Sequence, residues 1–336
     1  LLSAVPTGSA NWIAADVVDD PSWTIRLDDD QRNAIVDTTR RAIGRGVSIG
    51  TMTAAEFPLE GMGAALARWS DALQSGRGVL LLRGFPIKEL TAEEVELSYV
   101  GLGSHLGTPV GQNAAGDLLT HIRDERLPAD AGKVRLYRTS ERQDFHTDAA
   151  DIIGLLCLHR AASGGESKVV SSAALIAEMQ ASRPDLLDEL RAPLPWDRQN
   201  DVPDGSAPWF SLAPLARVDG GIDGGIDGAE RLFYVGWYIR DSQRHPDAPR
   251  LTDAQLEAMA MLEALANDPR FHLEMDFDPG DVQLINNGRV LHAREAYEDD
   301  PDPDRRRHLL RLWLAAHRFA SVESELRGGI ATGRDR

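Results

Sequence analysis

Asp278-Pro279-Gly280-Asp281-Val282-Gln283-Leu284-Ile285-Asn286-Asn287-Gly288-Arg289-Val290-Leu291-His292 is the stretch whose reading decides the fold. Pro-Gly sets a turn, a short apolar run follows, Asn-Asn-Gly sets a second turn, and another short run ends on a histidine. Runs this short, bounded by turn residues, read as strands. The same punctuation recurs through the second half of the chain. Further candidate strands fall at 133–139, 151–158, 231–239, 272–277, 282–285 and 308–315, separated by Gly, Pro and Asp clusters. No regular strand-helix alternation connects them, which disfavours a doubly wound sheet. The pattern predicts a mainly β fold with added helices: a double-stranded β-helix (jelly roll, cupin-like) core flanked by α-helices.

Outward from that stretch, Gly78-Val79-Leu80-Leu81-Leu82-Arg83-Gly84-Phe85 reads as a buried strand closed by glycine. Helices are expected at 29–43, 59–74 and 91–106, the last opened by a capping box of Thr91 and Glu94. Helical insertions are expected at 172–190 and 252–267. The chain of 336 residues is expected to be one domain: 1–77 mainly helical, 78–317 the jelly-roll core with insertions, and 318–336 a C-terminal tail. Gly220-Gly221-Ile222-Asp223-Gly224-Gly225-Ile226-Asp227-Gly228 holds too few units to stack as a calcium coil and reads as a loop.

A net charge of −17 argues against a nucleic-acid partner, because phosphate affinity rests on Lys and Arg. A small-molecule substrate fits better. A carboxylate ligand would be repelled at long range and would need a local cationic pocket. Cys157, the single cysteine, lies in an apolar run and reads as a core residue. No apolar run approaches a membrane span of roughly 20 residues. Leu1-Leu2-Ser3-Ala4 has neither a basic start nor a long apolar stretch, so a cytoplasmic location is expected. A homo-oligomer is compatible with this composition.

His146-Thr147-Asp148 spaces two side chains at i and i+2, which in a strand share one face. One imidazole and one carboxylate suit Fe(II), and His292 can complete a two-His-one-carboxylate set that leaves three positions open. A second copy of the spacing, His245-Pro246-Asp247, sits in a polar loop and its proline disfavours a regular strand, so it is rejected. Farther on, Arg307, Leu309, Arg311 and Trp313 share one face of a strand that is apolar on both sides. A buried guanidinium is costly unless a carboxylate meets it, so at least one of Arg307 and Arg311 is expected to bind one.

With these residues in view, the chain resembles the TauD/TfdA and clavaminate-synthase-like group of Fe(II)/2-oxoglutarate dioxygenases. Phe145-His146-Thr147-Asp148 is similar to the proximal metal motif of that group, and Asn286-Asn287 through Leu291-His292-Ala293-Arg294 to its distal histidine segment. Arg307 falls where the group has its 2-oxoglutarate-binding arginine, and Gly164-Gly165-Glu166-Ser167 resembles the turn whose hydroxyl binds the same carboxylate. The resemblance implies metal ligands His146, Asp148 and His292, and a co-substrate site of Ser167 and Arg307, with Arg311 near the co-substrate or substrate. It also implies Fe(II), 2-oxoglutarate and O2, decarboxylation to succinate, and oxidation of a substrate carbon. Hydroxylation is favoured, since relatives that halogenate lack the carboxylate ligand. Two rivals are a non-redox cupin-fold isomerase or sugar-binding module, and an inactive member with a regulatory role. Segments 106–119, with Gln112 and Asn113, 137–144 and 196–209 are expected to line the substrate side. The substrate is expected to be amino-acid-like or a natural-product intermediate.

Overall fold

Side-chain alternation along the strands sorts the protein into layers in the computed structural model, which describes residues 10–113, 115–127, 135–199, 202, 205–217 and 230–319. The loop 220–228 and the tail beyond 319 lie outside the described residues. Two main sheets use β1 (Thr24–Arg26), β2 (Val79–Arg83), β3 (Gly107–Pro109), β4 (Leu119–Ile122), β5 (Gln143–His146), β6 (Ile152–His159), β7 (Ser167–Ser171), β8 (His272–Met275), β9 (Val282–Asn286), β10 (Val290–Arg294) and β11 (His308–Ala316). The larger runs β1-β2-β9-β6-β11-β3 with β4 also on β11, and the smaller runs β8-β7-β10-β5. All these pairs are antiparallel except β1 with β2. The Asn287-Gly288 turn therefore carries the chain from the larger sheet to the smaller, as in a jelly roll.

Period-two alternation then decides which side chains meet. Val79, Leu81, Ile153, Cys157, Val169, Met275, Ile285, Leu309 and Trp313 form the cluster between the sheets. Their neighbours Leu80, Leu82, Leu284, Leu310, Leu312 and Leu314 face the other way, into a cluster with α1 (Asp29–Gly44), α2 (Gly63–Gln74) and α3 (Ala92–Gly103). On the smaller sheet Val170, Leu291 and Ala293 pack against α4 (Ser172–Ser182), α5 (Pro184–Arg191), α6 (Gly236–Asp241) and α7 (Asp253–Asn267). Each fully buried leucine here contributes about 1.5–3 kcal/mol relative to exposure. Helix α3 approaches β6 so closely that a Cβ on Gly154 would sit 2.4 Å from the Tyr99 hydroxyl oxygen. No helix among the described residues is long and apolar enough to cross a membrane.

Three expected elements differ. The run 231–239 is not one strand: Glu230–Leu232 pairs with Leu215–Arg217, and the chain then turns into α6. Its backbone at Tyr234 is taken by Thr147, so no neighbouring strand can continue the ladder. The run 133–139 is not a strand where described; Leu136–Arg138 is a single 3-10 turn, and 133 and 134 lie outside the described residues. The helix expected at 172–190 breaks into α4 and α5 at Arg183, whose ψ of 69° is forced out of the helical range before Pro184.

Candidate metal centre

Strand β5 ends on His146, so the spacing argument for His146 and Asp148 needs correction: they do not lie in one continuous strand. Backbone clamps create their common direction instead. Thr147 N–H donates to Tyr234 O at 2.8 Å, and the Thr147 hydroxyl accepts the Tyr234 N–H at 2.9 Å. Asp148 N–H donates to Asn287 Oδ1 at 2.9 Å, and Asn287 Nδ2 donates back to the Asp148 carbonyl. The third member, His292, stands in β10 directly across from His146 on β5 and Val169 on β7.

The three side chains converge. His146 Nε2 is 3.7 Å from Asp148 Oδ1, and His292 Nε2 is 3.8 Å from Oδ2. These gaps are too long for hydrogen bonds and leave room for an atom that all three could share. Each residue offers one ligand atom, all within 4.8 Å of one another. His146 Nδ1 lies 2.9 Å from the Asp144 carbonyl, which can only accept, so Nδ1 carries the proton and the Nε2 lone pair faces the centre.

Burial pushes the His292 imidazole down to about 3, helped by the neighbouring His146, and holds His146 below its ordinary value as well. Burial alone would raise the Asp148 carboxyl, but the Arg311 guanidinium above all, with the Trp313 hydrogen bond, outweighs it and holds the group ionised. Two neutral imidazoles and one carboxylate are the donor set that Fe(II) takes, so the residues fit the metal.

Arg311 Nη1 and Trp313 Nε1 both reach Asp148 Oδ2, at 3.3 and 3.0 Å. Arg311 is itself braced: its Nε donates to Gln112 Oε1 at 2.8 Å, and Gln112 Nε2 donates to the Arg311 carbonyl at 2.8 Å. Its guanidinium also lies between the Tyr137 and Trp313 rings. The structure thus places Arg311 beside the cluster of His146, Asp148 and His292, with Asp148 as its ionic partner.

Arg307, immediately before β11, is 4% exposed and forms no ion pair among the described residues. Its Nη1 is buried without a hydrogen-bond partner, and burial lowers its pKa. Gly165, at φ +78°, lets the chain pass this guanidinium; a Cβ there would lie 3.0 Å from Arg307 Nε. Ser167 opens β7 and its hydroxyl accepts from Gln283 Nε2 at 3.0 Å, leaving its own hydrogen to donate. Ser167, Arg307, His146 and His292 line one cavity, whose walls include Leu155 and Phe277.

A second cavity of about 290 Å3 reaches His146, Asp148, Arg311 and Trp313 and shares Tyr137, Gln143, His146 and Arg311 with the first. Tyr137, Gln143 and Gln199 line it as expected for their segments, together with Trp237, Tyr238 and Asp241 from α6. No described residue of segment 106–119 lines it. Gln112 is 2% exposed and committed to Arg311, and Asn113 bonds to Asp117 within its own turn. Trp196 is buried in the helical side of the core, although the expected lining segment began there. The rejected His245 turns to the buried Asp197, which also holds Arg244. Burial pushes the Cys157 thiol up to about 12, in keeping with a core residue.

Several participants carry no sequence signal of their own. Gln283 and Asn287 are amides whose partners at the site, Ser167 and Asp148, lie more than a hundred residues away in the chain. Gln143, whose Nε2 is 3.1 Å from His146 Nε2, is separated from that histidine by three positions, but its aim depends on where β5 ends. Arg294 shares a face with His292 by the same period-two rule that selected Arg311, and that signal was available.

Residues 43–313 match the model of the family described as taurine catabolism dioxygenase TauD, TfdA family. FR-33289 synthase of Streptomyces rubellomurinus is 32% identical over 317 residues, covering 94% of this chain and 91% of that protein. Among solved structures, asparagine oxygenase in complex with Fe(II), 2S,3S-3-hydroxyasparagine and succinate superimposes with a TM-score of 0.63 at 16% identity, covering 87% of this chain and 93% of that one. The non-heme iron oxygenase OrfP in complex with Fe and alpha-ketoglutaric acid gives 0.59 at 17% identity, over 87% and 94%. The structural likenesses establish the fold, and the family match spans the metal trio, Ser167 and both β11 arginines, so the chain belongs to the TauD, TfdA dioxygenase family.

Proposed function

We propose that His146, Asp148 and His292 hold Fe(II), that Ser167 and Arg307 hold the far carboxylate of 2-oxoglutarate, and that the wider cavity takes a small amino-acid-like substrate for hydroxylation. The observation that carries this reading is the buried, unpartnered Nη1 of Arg307 in the same cavity as the two neutral imidazoles. A guanidinium left without a carboxylate in such a place is costly, and a dicarboxylate co-substrate supplies what it lacks. A non-redox cupin would have no use for it.

When bound, the iron and 2-oxo acid would supply O2-driven oxidation of an unactivated carbon, with one oxygen atom of O2 going to the substrate and the other to succinate as CO2 is lost. The chain's own part is placement. Asp148 is kept charged and aimed by Arg311, Trp313 and Asn287. The Ser167 hydroxyl and Arg307 orient the far end of the co-substrate, while Leu155, Phe277 and Leu309 exclude water along its length. Gln143, Gln199 and Asp241 give the wider cavity polar side chains between its aromatic walls, which suits a small polar molecule. The asparagine oxygenase complex holds a hydroxylated amino acid, which supports an amino-acid-like substrate here. Because the layers share the two sheets between them, we extend the reading to one domain over residues 1–336.

The test is succinate release from 2-oxoglutarate by purified protein with Fe(II), stimulated by candidate amino acids. We expect release that is lost in His146→Ala together with Fe(II) binding. Release unaffected by that substitution would defeat the assignment.

A further inference from the structure

Three arginines line the inner cavity, and since Arg311 is paired with Asp148, Arg307 and Arg294 are the two to account for. Arg294 closes β10 two positions after His292, in register with Ser167 on β7, and is 6% exposed. Its Nη2 donates to the carbonyls of Leu136 and Glu141, but its Nε and Nη1 are buried with no partner. Arg307 and Arg294 lie over the same Tyr297 ring, at 4.9 and 5.2 Å from its centre. Both line the cavity that holds Ser167, His146 and His292.

The charges do not balance. Asp299 acts on Arg307 and accepts its backbone N–H at 2.8 Å. Asp124 and Glu141 act on Arg294 through space, and no carboxylate among the described residues bonds to its guanidinium. Like charges this close in a buried site repel unless an anion lies between them. Arg307 and Arg294 carry three unpaired N–H-bearing nitrogens between them and line one cavity with Ser167, and a carboxylate can accept about four hydrogen bonds.

We propose that Arg294 is a second anchor for the far carboxylate of 2-oxoglutarate, gripping it opposite Arg307 and selecting a dianionic 2-oxo acid over a monoanionic one. This rests on the reading of the cavity given above. The competing role for Arg294 is structural, as a brace for the 136–141 segment through its Nη2 bonds.

Binding to the Fe(II)-loaded, oxygen-free enzyme separates the two roles, measured by calorimetry with 2-oxoglutarate and with 2-oxovalerate, the same chain without the far carboxylate. Arg294→Gln is expected to weaken 2-oxoglutarate at least about tenfold while leaving 2-oxovalerate within about twofold, as loss of hydrogen bonds to a charged group predicts. Arg294→Lys, which keeps a cation and tolerates the fold, should recover part of the loss. Equal weakening of both ligands, or no change in either, would overturn the proposal in favour of bracing. Arg307→Gln keeps the failures apart: if it abolishes the preference for 2-oxoglutarate and Arg294→Gln does not, only the role of Arg294 fails. If the unmodified enzyme shows no preference between the ligands, the cavity reading fails with it.

Discussion

Asn287 shows what one side chain adds that spacing cannot. It donates to and accepts from the backbone of Asp148, so it sets the position of a carboxylate that has already left its strand. Removing the amide should leave Asp148 charged but poorly aimed. Asn287→Ala is expected to weaken Fe(II) binding roughly 10- to 100-fold, the usual effect of losing support behind a ligand. Metal titration checks this, and an unchanged dissociation constant would rule the clamp out. Gly165 offers a complementary test on the co-substrate side. Alanine there must adopt φ +78° with a Cβ at 3.0 Å from Arg307 Nε, so Gly165→Ala should raise KM for 2-oxoglutarate several-fold, by roughly 1 kcal/mol or more of strain. Metal affinity should be untouched. At this scale the charged residues were legible, because a histidine, aspartate or arginine in an apolar strand demands a reason. The amides Gln283, Asn287 and Gln112 were not, because an amide in a turn or strand carries no such demand and each acts on a partner far along the chain.

Among the elements, those that succeed as predictions have local causes. Helix α7 starts where Thr252 accepts from Gln255 N–H at 3.1 Å and the Gln255 side chain returns the bond to Thr252 N–H. That cap is exposed and distant from the centre's ligands in the chain, so Thr252→Ala should cost about 1 kcal/mol of stability without altering turnover. Urea denaturation alongside succinate assays checks both halves. Strand β11 was legible for a similar reason: its two apolar faces follow directly from alternation, and Leu309 and Trp313 do face the other sheet while Leu310, Leu312 and Leu314 face the helices. The run 231–239 is rich in aromatic and β-branched residues yet leaves its strand after Leu232 and enters α6 at Gly236. Its fate is decided by Thr147, which occupies the Tyr234 backbone from across the molecule. A strand needs a partner, and no window of sequence can show whether one is available.

Over the whole molecule, acid stability is decided by a competition between its surface charge and its buried histidines. At −17 the protein repels itself, and protonating surface carboxylates would relieve that strain. Carboxyl groups in general lose their charge only at about pH 4, however, so little relief comes at milder acidity. His308 acts sooner. Burial, then His121, Arg123 and His159, push it from 6.5 down to about 4, and His121 Nδ1 lies 2.8 Å from its Nε2. His105 is lowered too, again by burial first. A folded-state value below the unfolded one means that the unfolded chain takes up protons that the native protein refuses. The stabilising contribution of His308 is therefore complete above about pH 6.5 and is lost as the pH falls toward about 4. The melting temperature of the metal-loaded enzyme should accordingly drop through this window, and His308→Gln should flatten the drop by removing one group that resists protonation. Calorimetric scans at half-unit pH steps compare the two curves. If they run parallel from pH 7 to 4, His308 is not a source of the acid sensitivity, and the other buried histidines, His105 among them, must account for the drop.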